Sequence, residues 1–452
     1  MKILIKNGTI VTSGKIFKAD ILISGGKISE ISDSLKDKDA ELIDADGKYI
    51  FPGGIDPHVH MHLPTFAGYS SDDFYTGSRA ALFGGTTTLI DFVTPRKSQS
   101  LPDALIERKR EAENCLSDYS FHVSPISWHK NLKEEIQECI RQGITSFKVY
   151  MAYKNSIGLE DDDLLKVMQI IANEGVQLTV HAELGDDIEN LRNQYFEEGK
   201  TSPEYHALSR PDYTEANAVK KVINFADQTG CKVYIVHVSS QKSLKYISEA
   251  QKKGLSVYAE TCPQYLLLDD EKLKGSFEET AKFVFSPPLR KKEDNNKLWK
   301  ALSDNLLLTI GTDHCPFLYE QKLLGKDDFR KIPNGAGGVE HRLSLLYTYG
   351  VLQNKISLNE FVKISSTNAS KIFGLYPKKG EIAVGSDADL IIWQETDEFI
   401  SSKTHHQNCD LNIYENIKIK GKPLYVIKNG KIINSEGKFE KNIEKGKFLK
   451  RK

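Results

Sequence analysis

No two cysteines stand three apart, the spacing that builds small zinc or redox sites, and the six present (Cys115, Cys139, Cys231, Cys262, Cys315, Cys409) are scattered over 452 residues. That excludes a disulfide framework or a cysteine zinc site and fits reduced thiols in a cytoplasmic protein. A surplus of one charge is also missing: 61 Lys and Arg face 62 Asp and Glu, a net charge of −1. Chains that coat nucleic acid or anionic membranes carry a basic surplus. No run reaches the ~20 apolar residues needed to span a bilayer. The opening MKILIKNGTIVTSG (residues 1–14) alternates too soon for the apolar core of a signal peptide. No strand pattern is followed by G-x-G-x-x-G, and no G-x-S-x-G elbow occurs, so dinucleotide binding and serine hydrolysis lack their signatures. The composition itself, 39% hydrophobic and 27% charged, is that of a globular chain with a large core.

The two ends read alike and unlike the middle. ILIKNGTIVTSGKIF (3–17) and YVIKNGKIINSEGKF (425–439) are β-branched runs broken by Asn-Gly, the dipeptide of tight hairpins. Further strand patterns lie at 20–24, 40–43, 389–393 and 416–419. The economical reading is a small β-sandwich domain built from both termini (1–51 and 377–452), with 52–376 inserted into it. The Lys-rich end KGKFLKRK reads as a solvated tail.

In the middle, apolar runs ending in polar residues recur at 49–60, 86–91, 120–124, 146–150, 177–181, 232–237, 256–260 and 306–313. Helical periodicity fills 103–115, 132–142, 161–173, 214–228 and 240–252 between them. Eight strands alternating with helices predict a (β/α)8 TIM-like barrel, with a doubly wound open sheet as the alternative. Active sites of such barrels form at the C-terminal strand ends. Those ends carry His58 and His60, Asp91, His122, Lys148, His181, His237, Glu260 and Asp313. Only 12 residues are histidine, yet four of them sit at the ends of strands one, five and six. Residues two apart on a strand face the same way, so His58 and His60 can point at one metal ion. With His181, His237 and Asp313 they form an imidazole and carboxylate set that suits zinc. Lys148 is the odd member. Alone it reads as a lysine that snorkels or pairs with an acid, and its ammonium would repel a cation. A neutral amine that captured CO2 would instead be an anionic carbamate able to bridge two metals.

These motifs resemble the cyclic amidohydrolases, hydantoinases and dihydropyrimidinases above all: GGIDPHVH (53–60), FGGTTTLIDF (83–92), GITSFKVYMAYK (143–154), His181, YHALSRP (205–211), YIVHVSS (234–240), FSPPLR (285–290) and GTDHCPF (311–317). The resemblance implies a binuclear zinc hydrolase. His58, His60, N6-carboxylated Lys148 and Asp313 would hold one zinc; the same Lys148, His181 and His237 would hold the second. Tyr153 would bind the carbonyl under attack, and backbone groups of Ser286 and Asn334 would grip the ring amide. Taken alone, Tyr153 could merely pack and Ser286 could be a cap or turn residue. His314 is expected to be structural. The implied mechanism is attack by a metal-bridging hydroxide on the ring carbonyl, with Asp313 moving the proton to the leaving nitrogen. The product would be an N-carbamoyl amino acid.

Dihydroorotases carry an arginine shortly after H-x-H; here HVHMHLPTF has none, though Arg96 could substitute. Allantoin remains a further possible substrate. Hydantoins and dihydropyrimidines share the –CO–NH–CO– edge and differ in parts that touch loops 62–72, 93–100 and 153–162. Phe66 and Tyr69 either line a substituent pocket or pack as loop caps. A non-catalytic scaffold relative and a single-metal deaminase are the other classes, distinguishable by metal content. The family also implies a homotetramer with a small cyclic amide as its partner, and no nucleic acid or membrane.

Overall fold

The computed structural model describes residues 2–154 and 156–452. Eight strands form one sheet in which every neighbouring pair is parallel: Gly54–Val59, Thr86–Val93, Asp118–Val123, Ser146–Tyr150, Gln177–His181, Lys232–Ile235, Val257–Thr261 and Thr309–Ile310. The eighth meets the first through Asp313 N–H to the His58 carbonyl (2.9 Å) and His60 N–H to the His314 carbonyl (2.8 Å), which closes the barrel. An open doubly wound sheet is thereby excluded. The five expected helices appear as Leu101–Glu111, Leu132–Arg141, Asp161–Glu174, Asp212–Thr229 and Gln241–Lys252, their buried faces against the strands.

Both termini build the second unit. A seven-stranded sheet interleaves Tyr49–Pro52, Thr9–Val11 and Ile16–Lys18 with Leu390–Phe399, Lys418–Lys428, Lys431–Ser435 and Lys438–Phe439. Against it packs a four-stranded sheet of Lys2–Lys6, Asp20–Ser24, Lys27–Ser32 and Glu41–Asp44, around a core of Ile3, Ile5, Ile21, Ile50, Leu390 and Ile427. The run at 49–60 is therefore two strands, not one. The chain passes from sandwich to barrel at Gly53, where a Cβ would lie 2.2 Å from Thr87 Oγ1.

Two other expectations fail. Asn429–Gly430, with φ of 49° and 72°, is a tight hairpin, but Asn7–Gly8 carries the chain from one sheet to the other. Asp20 Oδ1 accepts from Asn7 N–H, and Asp44 Oδ1 accepts from its side-chain amide, so the turn is held from outside. The Lys-rich end is not a solvated tail. Tyr119 exchanges backbone bonds with Lys447 and Leu449, and Arg451 N–H reaches the Gly143 carbonyl. The buried Arg451 guanidinium donates to Ser146 Oγ (2.8 Å) and to the Phe121 carbonyl beneath the barrel. Apolar Phe448 and Leu449 supply the burial that offsets the charged composition. Among the described residues no helix is long and apolar enough to cross a membrane.

Candidate active site

The first barrel strand is buried along its whole length, and His58 points inward from it. Its Nδ1 meets Glu260 Oε1 from the seventh strand, leaving Nε2 toward the barrel mouth. His60, two residues on, shares that direction: both Nε2 atoms stand 3.1 Å from Asp313 Oδ1 and 3.3 Å from each other. A second group adjoins it. His181 Nδ1 lies 2.9 Å from His237 Nε2, and the His58 and His237 rings are 5.4 Å apart. Lys148 reaches the same floor from the fourth strand, 1% exposed, its Nζ 5.1 Å from the Phe92 ring and 5.2 Å from the Tyr150 ring.

Burial and neighbouring charge set the titration of this floor. Burial pushes Lys148 down to about 7, against the weaker opposing pull of Asp313 and Glu260. Burial also opposes charge on His58, but Glu260 and Asp313 overcome it and raise the ring to about 9. Against burial, His58 and His60 hold Asp313 well below the carboxylate range. Burial, with His181 alongside, keeps His237 neutral.

The strand ends expected at 237 and 313 lie beyond the strands themselves. His237 and Asp313 adopt left-handed backbone, with φ of 38° and 54°, as does Tyr153 with φ of 60°. Non-glycine residues rarely do so, and such strain costs about 1–3 kcal/mol each. It is held by local bonds: the Tyr153 carbonyl accepts from Ser156, Ile157 and Gly158 N–H at 2.9–3.1 Å. Gly311 lacks the Cβ that would press Glu260 Oε2 at 2.7 Å and His58 Cβ at 2.8 Å.

All nine singled-out residues (His58, His60, Lys148, Tyr153, His181, His237, Ser286, Asp313 and Asn334) line one cavity of about 730 Å3. Tyr153 packs on the His181 ring at 5.3 Å, with the Arg210 guanidinium 5.6 Å from its own ring. Ser286 Oγ is buried without a hydrogen-bond partner. Phe66 and Tyr69 both line the mouth, Tyr69 stacked on His62 at 3.9 Å. Loop 153–162 adjoins it, and its Asn155 lies outside the described residues. Arg96 is clamped by Glu107 through two bonds of 3.0 and 2.9 Å, so its charge is already matched.

Two strand residues, His122 and Asp91, and His314 beyond the eighth strand do not join the cluster. His122 spends its nitrogens on Ser146 Oγ (2.6 Å) and the Pro57 carbonyl (3.0 Å), and Asp91 binds Arg108 and the Met61 N–H. His314 bonds Asp72 at 3.0 Å and accepts from Gly338 N–H at 3.0 Å, leaving neither nitrogen free. The sequence reading gave no role to Glu260 and passed over Glu183, which takes His181 Nε2 at 2.8 Å and Arg210 at 2.5 Å. The H-x-E spacing of 181 and 183 was the available signal.

The amidohydrolase family profile matches residues 49–433. A D-hydantoinase of Geobacillus stearothermophilus is 44% identical over 452 residues, 99% of this chain and 96% of that protein. A dihydropyrimidinase of Rattus norvegicus is 39% identical over 460 residues, 100% of this chain and 89% of that protein. The crystal structure of a dihydropyrimidinase from Brevibacillus agri superposes with a TM-score of 0.98 at 43% identity, covering 100% and 99% of the two chains. With barrel, sandwich and cavity floor alike in place, the chain belongs to the amidohydrolase family and is an enzyme of its hydantoinase and dihydropyrimidinase group.

Proposed function

We propose that this enzyme opens a hydantoin or dihydropyrimidine ring to an N-carbamoyl amino acid at a binuclear zinc centre. One observation carries the reading: four imidazoles, a depressed carboxylate and a buried amine of lowered pKa share one cavity floor. The donor set fits the metals. His58, His60 and Asp313 offer three ligand atoms within 4.8 Å of one another, and His181 and His237 offer a second facing pair. Lys148 at about 7 is partly neutral near pH 7, the form that captures CO2, and its carbamate would bridge both groups. When bound, two zinc ions supply a water activated near neutral pH and polarise the carbonyl under attack.

The chain's own residues do the rest. The Tyr153 hydroxyl donates to the oxygen on which charge develops. Burial keeps that hydroxyl protonated, partly offset by Arg210. Asp313 takes the proton from the attacking water and returns it to the leaving ring nitrogen. Backbone groups at Ser286 and Asn334 bind the –CO–NH–CO– edge, and Phe66 and Tyr69 cover the substituent. The Arg96–Glu107 pair leaves a ring carboxylate without a free cation there, which disfavours dihydroorotate. The enzyme is further expected to work in the cytoplasm as a homotetramer, which light scattering tests. The decisive experiment compares turnover of dihydrouracil, hydantoin, 5-aryl hydantoins, allantoin and dihydroorotate alongside metal analysis. About two zinc per chain with opening of the first three classes is expected; a metal-free or inactive protein refutes the proposal.

A further inference from the structure

Away from the metal cluster, another lysine is fully enclosed. Lys322, 1% exposed, closes the short helix Tyr319–Lys322. Its Nζ donates to the carbonyls of Val284 (3.0 Å), Pro333 (2.6 Å) and Gly335 (2.9 Å). An ammonium has three donors and no acceptor, so three carbonyls use it completely. Among the described residues no carboxylate is paired with it. Burial pushes its pKa down to about 7, whereas three acceptors around one nitrogen favour the protonated form.

The location of those carbonyls gives the lysine its meaning. Pro333 and Gly335 flank Asn334, and Val284 lies two residues before Ser286, whose Oγ is buried and unpartnered. A Gly335 N–H bond to the Val284 carbonyl (3.1 Å) joins the same two loops. Burying a cation without a counter-charge is unfavourable, and an apolar side chain would avoid that desolvation only by taking the donor away from the three carbonyls. We propose that Lys322 is a positioning residue for ring binding, its ammonium fixing the separation between the loops that carry Ser286 and Asn334. The inference rests on the proposed reading of those two residues as the grip on the ring amide edge.

Groups that hold the ring equally in ground and transition state alter KM and spare kcat. Lys322→Met and Lys322→Gln are therefore assayed on hydantoin and dihydrouracil beside wild type, with zinc content and thermal melting measured in parallel. Expected is a KM raised about tenfold to hundredfold, kcat within about threefold and zinc unchanged. Wild-type activity with an unmoved KM in folded variants overturns the inference alone. So does loss of kcat or zinc at constant KM. Failure of both variants to fold would assign Lys322 to the fold and overturn its positioning role. A wild type inactive on both rings removes the parent proposal and this one with it.

Discussion

Replacing Lys148 with methionine should abolish activity and yet stabilise the metal-free protein. Burial lowers the amine from its ordinary 10.5 to about 7. At pH 7 the unfolded chain binds a full proton there and the folded chain about half of one. Integrating between those pKa values gives about 4 kcal/mol that the native state loses by burying this lysine. Methionine fills similar space with no charge to desolvate, so most of that penalty should be recovered. By linkage, between pH 7 and 10.5 the unfolded state holds more of this group's proton, so the contribution of Lys148 to wild-type stability rises with pH. The variant's advantage should therefore shrink to about 2 kcal/mol at pH 9. The assay is urea unfolding of both proteins, stripped of metal, in CO2-free buffer at the two pH values. A variant no more stable than wild type at pH 7, or a gain independent of pH, would refute a strained, partly neutral amine. Zinc content and turnover of the same variant should both fall to background.

Tyr153→Phe should lower kcat by about 10²–10³ with zinc retained, as expected for loss of one donor to the developing oxyanion; zinc loss would make the tyrosine structural. Zinc uptake should depend on pH because His58, which Glu260 and Asp313 hold at about 9 against burial, must shed its proton. Competition with a chelating dye should show affinity falling about tenfold per unit from pH 9 to 7, and a flat profile would remove His58 from the site. Deleting residues 448–452 should destabilise the protein by about 2–4 kcal/mol through lost burial of Leu449 and lost Arg451 bonds, read as a lower melting temperature. An unchanged melting temperature would return the tail to the solvent.

The barrel was legible because its strands are buried on both faces and end in chemically unusual residues. His58 and His60 could be aimed from strand geometry alone, since Gly54–Val59 contains the first and ends one residue before the second. His237 and Asp313 line the cavity although their strands end at Ile235 and Ile310, earlier than the apolar runs implied, and both residues take left-handed backbone beyond those ends. The C-terminal end misled because lysine-rich composition signals solvent, whereas Tyr119 and Phe121 are 320 or more residues away in sequence and supply its partners only after folding. Glu260 and Lys322 escaped for the same reason. What each does depends on contacts with distant segments, and neither spacing nor residue type announces it.

The buried carboxylates explain how one floor can present two distinct groups of candidate ligands. A neutral imidazole carries one N–H, and the acid that accepts it decides which nitrogen is left for a metal. Glu260 takes His58 at Nδ1, so Nε2 faces His60 and Asp313. Glu183 takes His181 at Nε2, so Nδ1 faces His237. The two acid-held rings, His58 and His181, thus present opposite nitrogens, and their orienting acids are anchored separately. Glu260 accepts from the Tyr234 hydroxyl at 2.7 Å, while Glu183 accepts from Arg210 at 2.5 Å. Because Arg210 also lies against the Tyr153 ring, the group around His181 is tied to the proposed oxyanion donor, whereas the group around His58 is tied to Asp313. His60 has no such acid: its Nδ1 is unpartnered, and stacking on Phe92 at 4.6 Å sets the ring. Packing rather than a proton acceptor orients that imidazole, which makes the Phe92 ring as much a part of the site as either glutamate.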